Sequence, residues 1–185
     1  MQLLFPKLKA REFAFLLSCA AAGALVAGVY GIVHDQITYT LSPEYFTKFK
    51  FGQFAWADLG FPVRVFVAEI GFLATWWVGF IAGWFLGRVA LKHGSHRQRR
   101  VATGIAWIIG FAISGAVLGA LCHMTFPDGP KAWADGIDLE ETRRFLLVGW
   151  IHTGGYAGAL IGLVFALWRN RSHGLQSVMP LRRTD

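Results

Sequence analysis

Long apolar runs with few charges alternate with short polar stretches along this chain. The first run, from Phe13 to Val33, holds 21 residues and no charge, and at about 1.5 Å per residue such a helix crosses a bilayer core of about 30 Å. Similar runs predict transmembrane helices over residues 12–33, 65–88, 101–123 and 144–168. Because lipid offers the backbone no hydrogen-bond partners, helices are the expected form. The sequence therefore predicts an all-α integral membrane four-helix bundle in one domain, residues 1–185, with a disordered tail over 170–185.

Composition supports a membrane protein and argues against a soluble one. Hydrophobic residues make up 55% of the chain and charged residues only 16%, and the four spans leave little sequence for a water-soluble domain. The net charge of +7 is concentrated before the first span, between the second and third, and after the fourth. That distribution is typical of cytoplasmic loops rather than of a nucleic-acid-binding surface. We therefore predict a multi-pass protein of a bacterial inner membrane, with both termini in the cytoplasm, the lipid bilayer as its partner and no nucleic acid.

Small residues recur at four-residue spacing in every predicted span. At that spacing they share one helix face and let two helix backbones approach closely. Either the helices of the bundle pack on these faces, or one face binds a partner helix in a homo-oligomer or a larger membrane complex. The glycines predicted to serve helix packing are Gly79, Gly83, Gly115, Gly119, Gly154, Gly158 and Gly162.

The outer loop predicted between the first two spans, residues 34–64, is rich in aromatic side chains, with eight of them between Tyr39 and Phe61. The tripeptide Ser-Pro-Glu at 42–44 is a helix-start signal: a hydroxyl cap, a proline at the first position and an acid in the first turn. This composition is unsuited to a solvated loop. It predicts either an anchor in the headgroup region of the membrane or a lid folded over the end of the bundle.

Titratable side chains gather near the outer ends of the predicted spans. Ionisable groups at that depth are costly, so they are candidates for function. At 100° per residue each lies on or beside the small-residue face of its helix, and we expect them to point into the bundle. Imidazole and carboxylate groups on bundle helices are metal ligands. The proposed ligands are His34, Glu69, His123 and His152, and the residues expected to orient them are Asp35, Gln36 and Cys122.

The identity of the bound group stays open at this point. Zinc, copper and iron all accept such ligands, with Cys122 or Met124 favouring copper, and two histidines on different helices suit a haem. Strong metal or haem motifs, such as His-Glu-x-x-His or Cys-x-x-Cys-His, do not occur in the sequence. The alternative is a purely structural network, in which the polar groups pair with arginines near the outer face. Those arginines are Arg64, Arg143 and Arg144.

One stretch of the chain resembles a known family. Residues 34–39 (His-Asp-Gln-Ile-Thr-Tyr) and 42–46 (Ser-Pro-Glu-Tyr-Phe) are similar to a stretch in small multi-pass membrane proteins of bacteria to which no activity is assigned. The resemblance covers this stretch and the four-span layout. It implies a bacterial inner-membrane protein, and it implies nothing about a substrate.

Three hypotheses on function follow from the residues. The preferred one is a protein that binds a metal ion or cofactor in a layer of histidine and glutamate near the outer face. The second is a structural or assembly subunit of a membrane complex that packs through its small-residue stripes. The third is a proton-coupled transporter, although such a protein needs ionisable groups through the full depth of the membrane, and the inner halves of the spans have none. The sequence leaves open whether the protein is an enzyme.

Overall fold

Four long helices make up the body of the molecule. The computed structural model describes residues 8–126, 134 and 136–175, with the side chains of 172–175 excepted. Helix α1 spans Ala10–Leu41, α2 Val63–Ala90, α3 Arg97–Thr125 and α4 Thr142–Leu175. No strand occurs among the described residues. The predicted all-α four-helix bundle is therefore confirmed. Helix α4 continues past the predicted start of the tail, and the tail from residue 176 lies outside the described residues.

Length and composition make these helices membrane-spanning. Three helical stretches are long and apolar enough to cross a bilayer, namely Ala10–Leu41, Val63–Thr125 and Thr142–Arg171, and the second of them holds both α2 and α3. Large apolar side chains on their outer faces are more than half exposed, including Leu118 and Leu160. Since a surface of this kind is stable against lipid rather than water, the chain is a membrane protein.

The chain reverses direction between α2 and α3 within six residues. The connecting 3-10 turn, Leu91–His96, contains Gly94 with a φ of 53° and a ψ of −124°, a backbone conformation that L side chains rarely adopt. Helices α2 and α3 consequently run antiparallel, with Leu86 packed against Gly104. We call this end of the bundle the turn end, and the opposite end, where residues 42–62 connect α1 to α2, the loop end.

Glycines bring the helices together as two close pairs, α1 with α2 and α3 with α4. A Cβ atom on Gly83 would overlap the carbonyl oxygen of Cys19, and one on Gly158 would overlap that of Phe111. Backbones this close gain van der Waals contact that larger residues would prevent. All seven glycines singled out in the sequence lie against the neighbouring helix of their pair: Gly79, Gly83, Gly115, Gly119, Gly154, Gly158 and Gly162.

Buried apolar residues form one cluster at each end of the bundle. The turn-end cluster joins all four helices and includes Phe15, Leu16, Leu86, Val101 and Ala166. The loop-end cluster joins the segment after α1 to α2 and α4, and it includes Tyr45, Phe46, Val67, Phe145 and Val148. The segment that connects α1 to α2 is therefore part of the core at the loop end.

This connecting segment begins with the predicted helix start. The Ser42 hydroxyl accepts a hydrogen bond from the backbone N–H of Tyr45 at 3.3 Å and caps the short helix Pro43–Tyr45. A π-helical turn, Phe46–Lys50, follows directly. The helix start expected from Ser-Pro-Glu is thus confirmed, and it turns the chain back over the bundle immediately after α1.

The two halves of the connecting segment have different surroundings. In the first half Tyr45, Phe46 and Lys50 are buried, whereas in the second half Trp56 and Leu59 are 75% and 72% exposed. The first half covers the end of the bundle, as expected of a lid. The second half presents the apolar surface expected of an interfacial anchor.

Candidate functional site

Helix α1 continues two turns beyond its apolar run. The hydropathy pattern predicts a span over 12–33, whereas the helix ends at Leu41, so His34 and Asp35 lie inside the helix rather than at its end. Within this part of the helix, the Thr38 hydroxyl donates to the His34 carbonyl oxygen at 3.1 Å. Such bonding to the preceding turn satisfies a polar side chain in apolar surroundings.

Asp35 is a carboxylate with both oxygens engaged inside the bundle. Its exposed fraction is 2%. Oδ2 accepts a hydrogen bond from the Lys50 ammonium at 2.6 Å, and Oδ1 lies 3.2 Å from Nε2 of His152. Removing the partners of a buried charge costs about 3–5 kcal/mol. The Asp35 carboxylate is therefore held firmly between Lys50 and His152. It joins side chains from α1, the connecting segment and α4.

Lys50 reaches Asp35 from the π-helical turn. The residue is 4% exposed, and its ammonium nitrogen also lies 5.1 Å from the centre of the Phe46 ring, which is a cation–π contact. Burial lowers the pKa of Lys50 below its ordinary value, and the charge of Asp35 opposes that shift. The short ion pair therefore forms in surroundings that penalise an isolated ammonium group.

Both ring nitrogens of His152 face hydrogen-bond acceptors. Nδ1 lies 2.9 Å from the carbonyl oxygen of Val148, one turn earlier in α4, and Nε2 lies 3.2 Å from the Asp35 carboxylate. The carbonyl oxygen can only accept, so Nδ1 carries the proton. A neutral imidazole then presents a lone pair at Nε2 to a carboxylate oxygen, which is repulsive. A positive species between Nε2 and Asp35, either a metal ion or a second ring proton, resolves that conflict.

His34 completes a group of three candidate ligands. Its ring centre lies 4.7 Å from that of His152 in an edge-on arrangement, and its other side stacks on Tyr30 at 5.6 Å. One ligand atom each from His34, Asp35 and His152 can be chosen so that all three lie within 4.8 Å of one another. Among the described residues this is the one such group of histidine, cysteine and acidic side chains.

The connecting segment closes the site from the loop end. The Tyr45 ring stacks on His152 with ring centres 5.1 Å apart, and burial raises the pKa of its phenol. The adjacent Glu44 fastens the segment to α4, because its carboxylate accepts the backbone N–H groups of Glu140 at 2.7 Å and Glu141 at 2.9 Å. Those N–H groups precede the first turn of α4, where a negative charge is favoured by the helix dipole.

A cavity of about 100 Å³ lies next to the three candidate ligands, on the side toward the middle of the bundle. Its polar wall is formed by the site residues together with Tyr30 and Tyr156, and Thr75 lies on the side of α2. The remaining wall consists of alanine, glycine, valine and isoleucine side chains from α1 to α4. The cavity has room for a few water molecules or one small ligand beside the ligand atoms.

Two of the four ligands predicted from the sequence lie outside this group. One oxygen of Glu69, Oε2, is buried without a hydrogen-bond partner. His123 is 2% exposed, its Nε2 lies 3.0 Å from the carbonyl oxygen of Arg143, and its Nδ1 is buried without a partner. Both residues belong to the loop-end halves of their helices, but neither joins His34 and His152 within ligand distance.

Of the residues expected to orient the ligands, one lies at the site and two lie away from it. Asp35 itself belongs to the group of three candidate ligands. Gln36 turns away from the site and exchanges hydrogen bonds with Arg64, whose carbonyl oxygen accepts from Nε2 at 2.7 Å and whose Nη1 donates to Oε1 at 3.2 Å. Cys122 is exposed and borders a groove between α3 and α4.

Two of the three arginines considered as partners for the buried acid contact other groups instead. Arg64 lies over the Tyr39 ring, 4.6 Å from its centre, and Arg144 forms an exposed ion pair with Glu141 at 2.9 Å. The cation that neutralises Asp35 is Lys50 instead.

Lys50 and Tyr45 are the site residues that the sequence pattern did not identify. They lie in a segment predicted to form the outer loop, so their depth cannot be derived from hydropathy. One signal was available: a buried carboxylate requires a cation, and Lys50 is flanked on both sides by phenylalanine. A lysine inside an aromatic run is a natural candidate for that cation.

Comparison with known proteins adds no assignment: no family model, no curated protein and no solved structure matches the chain.

Proposed function

We propose that this membrane protein binds one transition-metal ion through His34, Asp35 and His152. The observation that carries the proposal is the group itself, three ligand atoms on two helices within 4.8 Å of one another. It includes the Nε2 atom of His152 and a carboxylate oxygen of Asp35, which face each other at 3.2 Å. A divalent cation between them satisfies both groups at once.

The distance between two of the candidate ligand atoms suits a small metal ion. Ligand atoms about 2.0–2.1 Å from a tetrahedral zinc lie about 3.3 Å apart, and the separation of His152 Nε2 from Asp35 Oδ1 is 3.2 Å. The hydrogen bond from Nδ1 of His152 to Val148 fixes the tautomer that leaves Nε2 free for a metal. An outer hydrogen bond of this type is the usual companion of a ligating imidazole. Lys50 holds the second carboxylate oxygen and makes Asp35 a ligand through one oxygen.

The ligand set favours zinc or iron among the metals considered. Two imidazoles and one carboxylate leave one or more coordination positions open, as in catalytic zinc sites and in non-haem iron sites. Cys122 and Met124, which would favour copper, are both exposed. A haem is disfavoured because the cavity holds about 100 Å³, far below the about 300–1,000 Å³ of sites for larger ligands.

Metal analysis of purified protein tests this proposal. The wild-type chain, stripped with a chelator and reloaded with zinc or ferrous iron, is expected to retain about one ion per chain. Asp35→Asn and His152→Ala should lose it, while His96→Ala, an exposed histidine at the turn end, should retain it. Titration with cobalt(II) supplies a second readout, since tetrahedral cobalt has intense visible absorption bands. Wild-type protein that binds no metal, or His152→Ala protein that binds as well as wild type, overturns the proposal.

A proton is the second candidate occupant of the same place. The observation in its favour is the 2.6 Å ion pair between Lys50 and Asp35, which already supplies one positive charge and makes a divalent cation less favourable there. His152 would then be an imidazolium that donates from both nitrogens, and the protein would be a proton-binding element of a transporter. This alternative predicts that wild-type and His152→Ala proteins are equally free of metal.

The assembly hypothesis loses its main support from the packing. The small-residue stripes that suggested a partner helix are occupied within the chain, because Gly83 and Gly158 lie against the neighbouring helices of their own pairs. A homo-oligomer or a larger complex would therefore have to use other surfaces. Gly158→Leu would disrupt the fold itself and cannot serve as a test for a partner.

We further propose a location in a bacterial inner membrane, with the turn end facing the cytoplasm. Support comes from the sequence, because Lys and Arg residues concentrate at the turn end and in the flanking termini, as the positive-inside rule requires. In this orientation the metal ligands face the outer side of the membrane, under the connecting segment.

A further inference from the structure

We infer that the turn end holds a specific site for the headgroup phosphate of an anionic phospholipid. The site is a cleft of about 340 Å³ between the start of α3 and the end of α4. It is separate from the metal ligands at the loop end, and the inference does not depend on the proposed metal. Arg99, Arg100 and Arg169 line the cleft together with Thr103 and Asn170.

The cleft is positively charged, and no acid among the described residues compensates its charge. None of its three arginines forms an ion pair with an acid anywhere in the described residues. Of the acids described, Glu12 alone belongs to the turn end, and its carboxylate accepts the backbone N–H of Lys9 at 2.9 Å. Three unpaired guanidinium groups on one cleft are complementary to an anion, and guanidinium is the group best shaped to bind phosphate oxygens.

The backbone at the start of α3 also contributes positive potential to the cleft. Helix α3 begins at Arg97 without a side-chain cap from His96, so the positive end of its dipole lies next to Arg99 and Arg100. The cleft is also held in shape, because Nε2 of His93 donates to the carbonyl oxygen of Asn170 at 3.0 Å and ties the turn to α4. Asn170 itself is 7% exposed.

The apolar part of the cleft identifies a lipid as the source of the phosphate. Its floor is formed by Gly104, Trp107 and Ala166, which lie one to three turns inside the membrane-spanning helices. Trp107 is 38% exposed, and the guanidinium of Arg169 lies 5.8 Å from its ring centre. A phosphate between arginines with an indole just below it matches a headgroup at the interface whose acyl chains run along α3 and α4. A free phosphate ion has no apolar part that could pack against that floor.

Native mass spectrometry of the full chain in detergent, with equal amounts of phosphatidylglycerol and phosphatidylcholine, tests the site. Wild-type protein is expected to prefer phosphatidylglycerol by about tenfold or more, since each arginine near an anionic headgroup contributes about fivefold. The cleft variant Arg99→Gln/Arg100→Gln/Arg169→Gln should lose that preference. The control variant Arg11→Gln/Lys92→Gln/Arg171→Gln removes the same charge from the same end without touching the cleft, and it should stay within about twofold of wild type.

Three outcomes would overturn the inference. Equal binding of the two lipids by wild type would show that no anionic site exists. Equal losses in the cleft and control variants would show a diffuse surface charge. Displacement of bound phosphatidylglycerol by millimolar inorganic phosphate would show a site for the free ion. Helix content by circular dichroism, measured on both variants, separates each of these from a failure to fold.

Discussion

At the scale of single residues, the feature that organises this protein is a carboxylate buried between two nitrogen groups of different character. Lys50 holds one oxygen of Asp35 at 2.6 Å and His152 faces the other at 3.2 Å. In a low-dielectric interior each partner makes the other less costly to bury. Lys50 therefore has two opposed effects on the proposed metal: it fixes the orientation of the carboxylate, and its charge competes with the ion.

The ion pair predicts a specific pattern in a double-mutant cycle on metal-free protein. Asp35→Asn leaves the Lys50 ammonium buried without its partner, and Lys50→Met leaves the carboxylate alone, so each is expected to lower the free energy of unfolding by about 3 kcal/mol. The combination Asp35→Asn/Lys50→Met should recover most of that loss, because neither charge remains. Thermal unfolding in detergent, followed by circular dichroism, measures all four proteins.

An additive result would contradict the expected dependence of Asp35 and Lys50 on each other. If the double variant loses as much as the two single variants together, the two side chains do not depend on each other. Arg144→Gln provides the matched control, since Arg144 forms an ion pair with Glu141 at 2.9 Å but is exposed. Exposed pairs of this kind contribute about 0–1 kcal/mol, so Arg144→Gln should leave the unfolding temperature nearly unchanged.

The same residues show how far sequence reasoning reaches at this scale. Facing angles put both His34 and His152 toward the interior, and the structure brings their rings together. The same argument put Glu69 and His123 inward, yet neither joins them. A facing angle fixes the direction of a side chain on its own helix, whereas convergence also depends on the height and rotation of four helices relative to one another, which no periodicity records.

At the scale of helices, close glycine contacts decide how the pairs assemble. Between α1 and α2, Gly23 and Gly79 lie against each other's carbonyl oxygens, and so do Gly31 and Gly71 farther along. In lipid there is no hydrophobic gain from bringing helices together, so stability comes from packing of this kind. His34 and Asp35 follow directly after this contact region, and the pairing therefore fixes where α1 presents the site.

This packing predicts different outcomes for two single glycine replacements. Gly83→Ala places a methyl group onto the Cys19 carbonyl oxygen, which forces α1 and α2 apart and should cost about 1–3 kcal/mol. Gly110→Ala is the control, because this glycine lies within α3 with no atom within 4 Å of an added Cβ. It should be neutral or slightly stabilising. Unfolding temperatures in the same detergent give the comparison, and equal effects of the two replacements would argue against close packing at Gly83.

Hydropathy located the four helices but not all of their ends. The lengths of apolar runs define the part of a helix that lies in hydrocarbon, and that part agrees with the structure for all four. The extension of α1 to Leu41 lies beyond its apolar run, in a stretch with polar side chains such as Asp35, Gln36 and Thr38 that hydropathy does not count toward a span. The inward position of Lys50 depends on a π-helical turn, Phe46–Lys50, for which the sequence carries no recognisable signal.

At the scale of the whole molecule, charge and chemistry are divided between the two ends. The turn end carries the basic cleft around Arg99, Arg100 and Arg169, and the loop end carries the group of Asp35, His34 and His152 under the connecting segment. Since both groups belong to the same four helices, the orientation of the bundle in the membrane determines which compartment each one faces. Orientation is thus the property that links the two proposals.

The orientation can be tested with single cysteines on either end. By the positive-inside rule we expect the basic turn end, with the start of α1 and the end of α4, to face the cytoplasm. In a background with Cys19→Ala and Cys122→Ala, a Trp56→Cys variant should react in intact cells with a maleimide that cannot cross the membrane, because Trp56 is 75% exposed at the loop end. A Ser95→Cys variant, at the exposed turn between α2 and α3, should react only after the cells are permeabilised. The opposite pattern would reverse the orientation, and the proposed metal ligands would then face the cytoplasm while the basic cleft faced outward. Labelling of both cysteines in intact cells would instead indicate that the two ends lie on the same side, which is incompatible with helices that span the bilayer.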